Sequence, residues 1–190
     1  MTPSHPPEGI ILGMGATLFA MALSATLAAQ GVDGGAVRSH TSSAAVRLRP
    51  MPPLDLETLD GKRFSSSSLS GKVVLVDFWA TWCMPCLQEI PTWNHLYKRY
   101  ASKRFTMLGV TVQSGWASDI RGDIKEAKLE IDYPLVVGND KVAREFGGVF
   151  GFPTTFLVNR SGKIYKKYTG QYPEKAAQIE ADIQKLLSEQ

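Results

Sequence analysis

Six of the seven residues from Val73 to Trp79 are apolar, and the exception, Asp77, is an acid. A strand of that composition has no face to give to water, so it belongs in the middle of a sheet covered on both sides. It runs within a few residues into Trp82-Cys83-Met84-Pro85-Cys86. A helix is expected to start at the cysteine pair and run to about Ala101. Pro85 suits its first turn, where no backbone N–H is required, and Pro91 should kink it. A strand that delivers two cysteines to a helix N-terminus restricts both the fold and the chemistry.

Cys83 and Cys86 are the only cysteines in the 190 residues. A bridge across two intervening residues closes almost no loop, so it does little as a structural staple. The spacing suits redox or metal chemistry instead. A zinc site needs about four ligands, and the histidines, His5, His40 and His95, supply no second paired motif. The redox reading follows from position. A helix N-terminus carries unpaired N–H groups and the positive end of the macrodipole, and both stabilise a thiolate. Cys83 is expected to be exposed and nucleophilic. Cys86, one turn on, is expected to be shielded and to resolve the mixed disulfide. Met84 is a neutral, apolar residue that can add to a partner-facing surface.

Two acids are candidates for proton transfer. Glu89 follows Cys86 by three and Cys83 by six, so the three share a helix face. A desolvated carboxyl there has a raised pKa and can exchange a proton with the shielded thiol. The alternative for Glu89 is a solvated helix-face residue. Asp77 lies mid-strand, where burial is costly unless it is bonded or functional; its alternative is a capped or edge-strand polar residue. Pro153, in Gly151-Phe152-Pro153-Thr154-Thr155, precedes a strand. Base rates make it trans unless something selects cis.

The rest of the chain alternates strand and helix patterns. Leu54 to Leu59 and Lys62 to Phe64 read as a hairpin around Asp60-Gly61, and Ser65 to Ser70 as a loop. Phe105 to Val112 and Pro134 to Val137 read as strands. Ser118 to Leu129 reads as a helix on Ile120, Ile124, Ala127 and Leu129, and Asp140 to Phe146 as a short helix stopped by Gly147-Gly148. Thr154 to Asn159 and Lys163 to Tyr168 are strands joined by a turn. Pro173 opens a last helix, with Ile179, Ile183, Leu186 and Leu187 on one face. The order β, β, α, β, α, β, α, β, β, α describes an α/β sandwich with a mixed sheet. A net charge of +3, with no basic stripe, argues against nucleic-acid binding.

Ile10 to Ala29 holds no charged residue, and twenty helical residues just span a hydrocarbon layer of about 30 Å. Residues 1–29 are expected to be a signal peptide, with Ala28 and Ala29 near the cut, or an uncleaved membrane anchor. No Lys or Arg precedes the run, whereas Arg38, Arg47 and Arg49 follow it, which is not the usual charge bias. Residues 30–50, rich in Gly, Ala and Ser, read as a flexible linker, and residues 51–190 as one folded domain.

The run from Val76 to Pro91, with Trp79-Ala80-Thr81-Trp82-Cys83-Met84-Pro85-Cys86 at its centre, resembles the active-site run of thioredoxin-like proteins. Gly148 to Val158 with Gly162-Lys163-Ile164 is similar to the second motif of the ResA/TlpA/CcmG (DsbE) group. The resemblance covers roughly Met51 to Gln190. It implies a thioredoxin fold with an N-terminal β-hairpin and a central insertion between Val112 and Phe146. It implies that Pro153 is a cis-proline against the cysteine pair and that Phe152 lines a substrate groove with Trp82, Met84 and Pro85. Glu89 matches the group's buried glutamate and Asp77 the buried aspartate of thioredoxin, so that this chain has both acids. The resemblance further implies an extracytoplasmic reductase of client-protein disulfides, recharged by a membrane thiol-electron donor, held to the membrane through residues 10–29, and serving apocytochrome c or copper-site assembly. No cofactor or metal is expected beyond the redox-active Cys83–Cys86 pair. The competing readings are a dithiol oxidase or isomerase, and a copper chaperone using the two thiolates. A peroxidase of the peroxiredoxin type needs a Thr and Arg arrangement that this motif lacks.

Overall fold

A computed structural model describes residues 48–189 of the chain. The expected signal or anchor at residues 1–29 and all but the end of the expected linker at residues 30–50 lie outside the described residues. The expected segments are all present, but three strands rather than two precede the first helix: β1 (Asp55–Thr58), β2 (Arg63–Ser65), β3 (Val73–Trp79), α1 (Met84–Tyr100), β4 (Phe105–Thr111), α2 (Ala117–Glu126), β5 (Leu135–Val137), α3 (Asp140–Glu145), β6 (Thr154–Val158), β7 (Ile164–Thr169) and α4 (Lys175–Ser188). The seven strands form one sheet in the order β2-β1-β5-β4-β3-β6-β7. β4 lies parallel to β3 and β5; the remaining pairings are antiparallel. This is the thioredoxin fold, and β3 stands near its middle with all seven residues buried.

Alternation along β3 sorts the core into two layers. Val74, Val76 and Phe78 join Leu54, Leu56, Val110 and Phe146 on the face covered by α3. Val73 and Leu75 join Trp93, Leu96, Ile179 and Ile183 on the face covered by α1 and α4. Asp77 and Trp79 continue that second face, so the strand's one acid points beneath α1. Its register partner on β4 is Gly109. A Cβ at Gly109 would come within 2.5 Å of Leu135 Cδ2 and 3.0 Å of Tyr133 Cε2, so the missing side chain is what lets these two residues close over the acid's surroundings.

Several local expectations are corrected. The folded region reaches back into the expected linker: Pro50 bridges Lys163, and the Arg49 guanidinium donates to the Glu145 and Phe146 carbonyls at the end of α3. Free carbonyls at a helix C-terminus favour such a cation. Ser66–Leu69 forms a 3-10 turn rather than a loop, with Ser65 accepting from the Ser67 N–H. α2 ends at Glu126, and Ala127 is exposed rather than part of its apolar face. Pro173 precedes the first turn of α4 instead of occupying it. The insertion is no appendage, since its strand β5 pairs with both β1 and β4 and so carries the hairpin into the sheet.

Candidate active site

Cys83 is the N-cap of α1, and its extended backbone (φ −86°, ψ 94°) turns the chain from β3 into the helix. Cys83 and Cys86 are joined as a disulfide with Cα atoms 5.3 Å apart. The Cys86 backbone N–H donates to Cys83 Sγ at 3.3 Å, and Pro85 sits in the first turn as expected. The first sulfur therefore lies where helix-end N–H groups converge. The expectation that Cys83 is exposed is corrected: it is 5% exposed and Cys86 2%. In the disulfide form Cys83 is buried in a cluster with Trp79, Ala80, Cys86 and Ile90, and Phe152 packs against it.

The surface above the sulfurs is apolar. Trp82 and Met84 are each about three-fifths exposed. Trp82 is held by donating its indole N–H to the Gln113 carbonyl at 2.8 Å, and it meets Phe152 edge to face at 5.9 Å between ring centres. Ser114 accepts from the Thr81 N–H, and Thr81 donates its hydroxyl to Asp123. The Phe152–Pro153 bond is cis. The expected substrate-facing residues Trp82, Met84, Pro85, Phe152 and Pro153 thus belong to the helix start and the loop before β6. Gln113 and Ser114, which hold Trp82 and Thr81, join them without any sequence signal of their own. A cleft of about 1400 Å³ between the hairpin and the start of α2 includes neither cysteine.

Beneath the pair lie both acids. Glu89 is buried on α1, which sets aside its solvated alternative, and Asp77 is buried on β3 between β4 and β6, which sets aside an edge-strand position. Thr155, the register partner of Asp77 on β6, donates its hydroxyl to Asp77 Oδ1 at 2.7 Å. Burial pushes Asp77 up to about 6, against the pull of Lys175 and Thr155. Burial pushes Glu89 up to about 7, against its hydrogen bond and attraction to Lys175 and with a smaller push from Asp77. Lys175, the first residue of α4, donates to Glu89 Oε2 at 2.8 Å while itself 1% exposed. Sequence pattern gave no sign of it, because a lysine in a helix's first turn reads as solvated. Tyr133 closes the group, its phenol pushed well up by burial and by the two acids.

A sulfur at a helix N-terminus, a second sulfur one turn deeper and two acids of raised pKa below them can carry out thiol–disulfide exchange. The thiolate attacks a disulfide, and the deeper thiol, once deprotonated, displaces the product. Comparisons with known proteins agree. A Redoxin family model matches residues 48–184. The chain is 35% identical over 123 residues to the thiol-disulfide oxidoreductase ResA of Bacillus subtilis, covering 65% of this chain and 67% of the relative. It is 30% identical to the thioredoxin-like protein YneN of the same organism, covering 70% of this chain and 76% of that one. A solved thiol:disulfide interchange protein of the thioredoxin family from Chlorobium tepidum superposes with a TM-score of 0.64 at 33% identity, covering 75% of this chain and 98% of the other. The chain belongs to the Redoxin family and is a thiol–disulfide oxidoreductase of its ResA/TlpA/CcmG group.

Proposed function

We propose that the protein works outside the cytoplasm as a reductant of disulfides in client proteins, in apocytochrome c maturation or a related assembly pathway. The observation that carries the direction is electrostatic. Met84 and Pro85, between the cysteines, carry no charge, while two buried carboxyls and a single buried cation lie below. A dithiol becomes strongly oxidising when its thiolate is heavily stabilised. Here the helix end favours the Cys83 thiolate, and the one buried cation is already paired with Glu89, so no uncompensated positive charge adds to it, which leaves the pair reducing. The oxidase, isomerase and copper-chaperone readings have no comparable support.

In this reading Cys83 attacks the client disulfide, and Cys86 releases the reduced client by closing the Cys83–Cys86 bond. The pair is its own redox group, without a cofactor, and a membrane thiol-electron donor restores the dithiol. Trp82, Met84, Phe152 and Pro153 offer the client an apolar rim. The uncharged segment at residues 10–29 supports export as a cleaved signal or membrane anchor, with residues 30–50 as tether. Among the described residues no helix is long and apolar enough to cross a membrane.

Equilibration with a reference redox couple tests the direction. A potential near about −270 mV supports the reductant, and one near about −120 mV makes the protein an oxidant. Cys86→Ser in cells should capture the client as a mixed disulfide. Capture of nothing while Cys83 stays reactive contradicts the role.

A further inference from the structure

Lys175 has no structural reason to be where it is. It opens α4, at the end of the helix whose macrodipole disfavours a cation, and a lysine is among the residues least often buried. Yet its side chain is 2% exposed, with Nζ 2.8 Å from Glu89 Oε2 and 5.4 Å from the centre of the Trp93 ring. The charged groups facing it come from different elements, Glu89 from α1 and Asp77 from β3; the Tyr133 phenol, from the segment before β5, faces the two acids, and the Tyr172 phenol lines the cavity beside Lys175. The neutral Thr155 of β6 completes the set through Asp77. On the outer side of the Lys175–Glu89 pair is a cavity of about 410 Å³, lined also by Gln88, Thr92, Gln171 and Tyr172.

We propose that Lys175 is a positioning residue for the resolving step: it holds one negative charge on the Asp77–Glu89 pair, so that the two carboxyls share one proton and keep one basic site for the Cys86 thiol. The argument is charge balance. Burial of an unpaired charge is far more costly than burial of a neutral set. One ammonium with two carboxyls is neutral only when one carboxyl is protonated and the other is not. Without the ammonium, the neutral state has both carboxyls protonated and no base remains. The titration belongs to the set of groups and not to either acid.

The step balances as follows. In the mixed disulfide, Cys86 S–H gives its proton to the free carboxylate. The Cys86 thiolate then attacks Cys83 Sγ, the Cys83–Cys86 bond forms, and the bond from Cys83 to the client sulfur breaks. The client leaves as a thiolate with the electron pair, and it is the client that has been reduced. The proton taken up by the carboxyl pair passes to water through the cavity beside Glu89.

This rests on Cys86 as the resolving cysteine, so the two ideas need separate readouts. Attack by Cys83 is followed in Cys86→Ser with a chromogenic aromatic disulfide, and resolution by release of the second chromophore from the protein with both cysteines. Lys175→Met should leave the attack rate in the Cys86→Ser background within about twofold, lower the resolution rate at pH 7 about tenfold, and move its pH midpoint upward by about one unit. Lys175→Arg, which keeps the cation, should restore the midpoint. An unchanged resolution profile in a folded Lys175→Met protein overturns the inference and leaves the Cys83–Cys86 chemistry standing. Failure of Cys86→Ser to react overturns the underlying reading. A readout that needs no variant is the NMR titration of the side-chain carboxyl carbons of Asp77 and Glu89 in the oxidised protein. Two separate steps, with one proton still held above pH 6, support the shared proton, and loss of both protons by pH 5 overturns it.

Discussion

Replacing Asp77 with Asn removes a charge that folding places in the core while retaining an Oδ1 that accepts from Thr155. In the folded protein the carboxyl is carried from an ordinary value of 3.8 to about 6. Between those values the folded state keeps a proton that the unfolded chain gives up, so stability falls as pH rises through that window. The loss is complete above the folded value and amounts to about 3 kcal/mol for such a displacement. Asn does not titrate and escapes it. Asp77→Asn should therefore match the parent near pH 4 and exceed it by roughly 2–3 kcal/mol at pH 8, read as a difference in urea midpoints at constant slope in the oxidised form. Glu89 makes its own loss over higher pH in both proteins, and removing the Asp77 charge eases its ionisation, which adds to the difference. A gap that stays constant from pH 4 to pH 8, or an Asn variant that is weaker at pH 8, refutes the reasoning.

Thr155→Val leaves Asp77 Oδ1 without its donor and should cost about 1–3 kcal/mol by chemical denaturation, with the Asp77 titration moved further up. Ile183→Ala, at a fully buried position of α4, should cost about 2–5 kcal/mol in the same assay. Gly109→Ala forces Leu135 and Tyr133 outward and should cost about 1–3 kcal/mol, with a smaller effect on redox potential than on stability. Met84→Ala, at an exposed position between the two cysteines, should leave stability within about 0.5 kcal/mol and slow reduction of a protein client more than that of a small aromatic disulfide.

The elements that could be read from the sequence are those whose patterns are local. β3 and β4 announce themselves as largely apolar runs, and the Asp60-Gly61 and Ser161-Gly162 turns mark the β1–β2 and β6–β7 hairpins. The cysteine pair and Glu89 follow from spacing along one helix. What the sequence hid depends on contacts between distant segments. Lys175 meets Glu89 across 86 residues, Thr155 meets Asp77 across 78, and Trp82 is held by a carbonyl 31 residues on. No periodicity within α4 separates a buried lysine from a solvated one. The burial of Cys83 is likewise not local, since its cluster includes Phe152, from a loop 69 residues later, as well as its disulfide partner.

The whole account turns on the ionisation of the first sulfur. In Cys86→Ser, the ultraviolet absorbance of the Cys83 thiolate followed against pH reports it directly. A midpoint clearly below the ~8.5 of free cysteine is the result that a helix-end thiolate requires. A midpoint at or above that value would leave the pair without a nucleophile at neutral pH and contradict the mechanism.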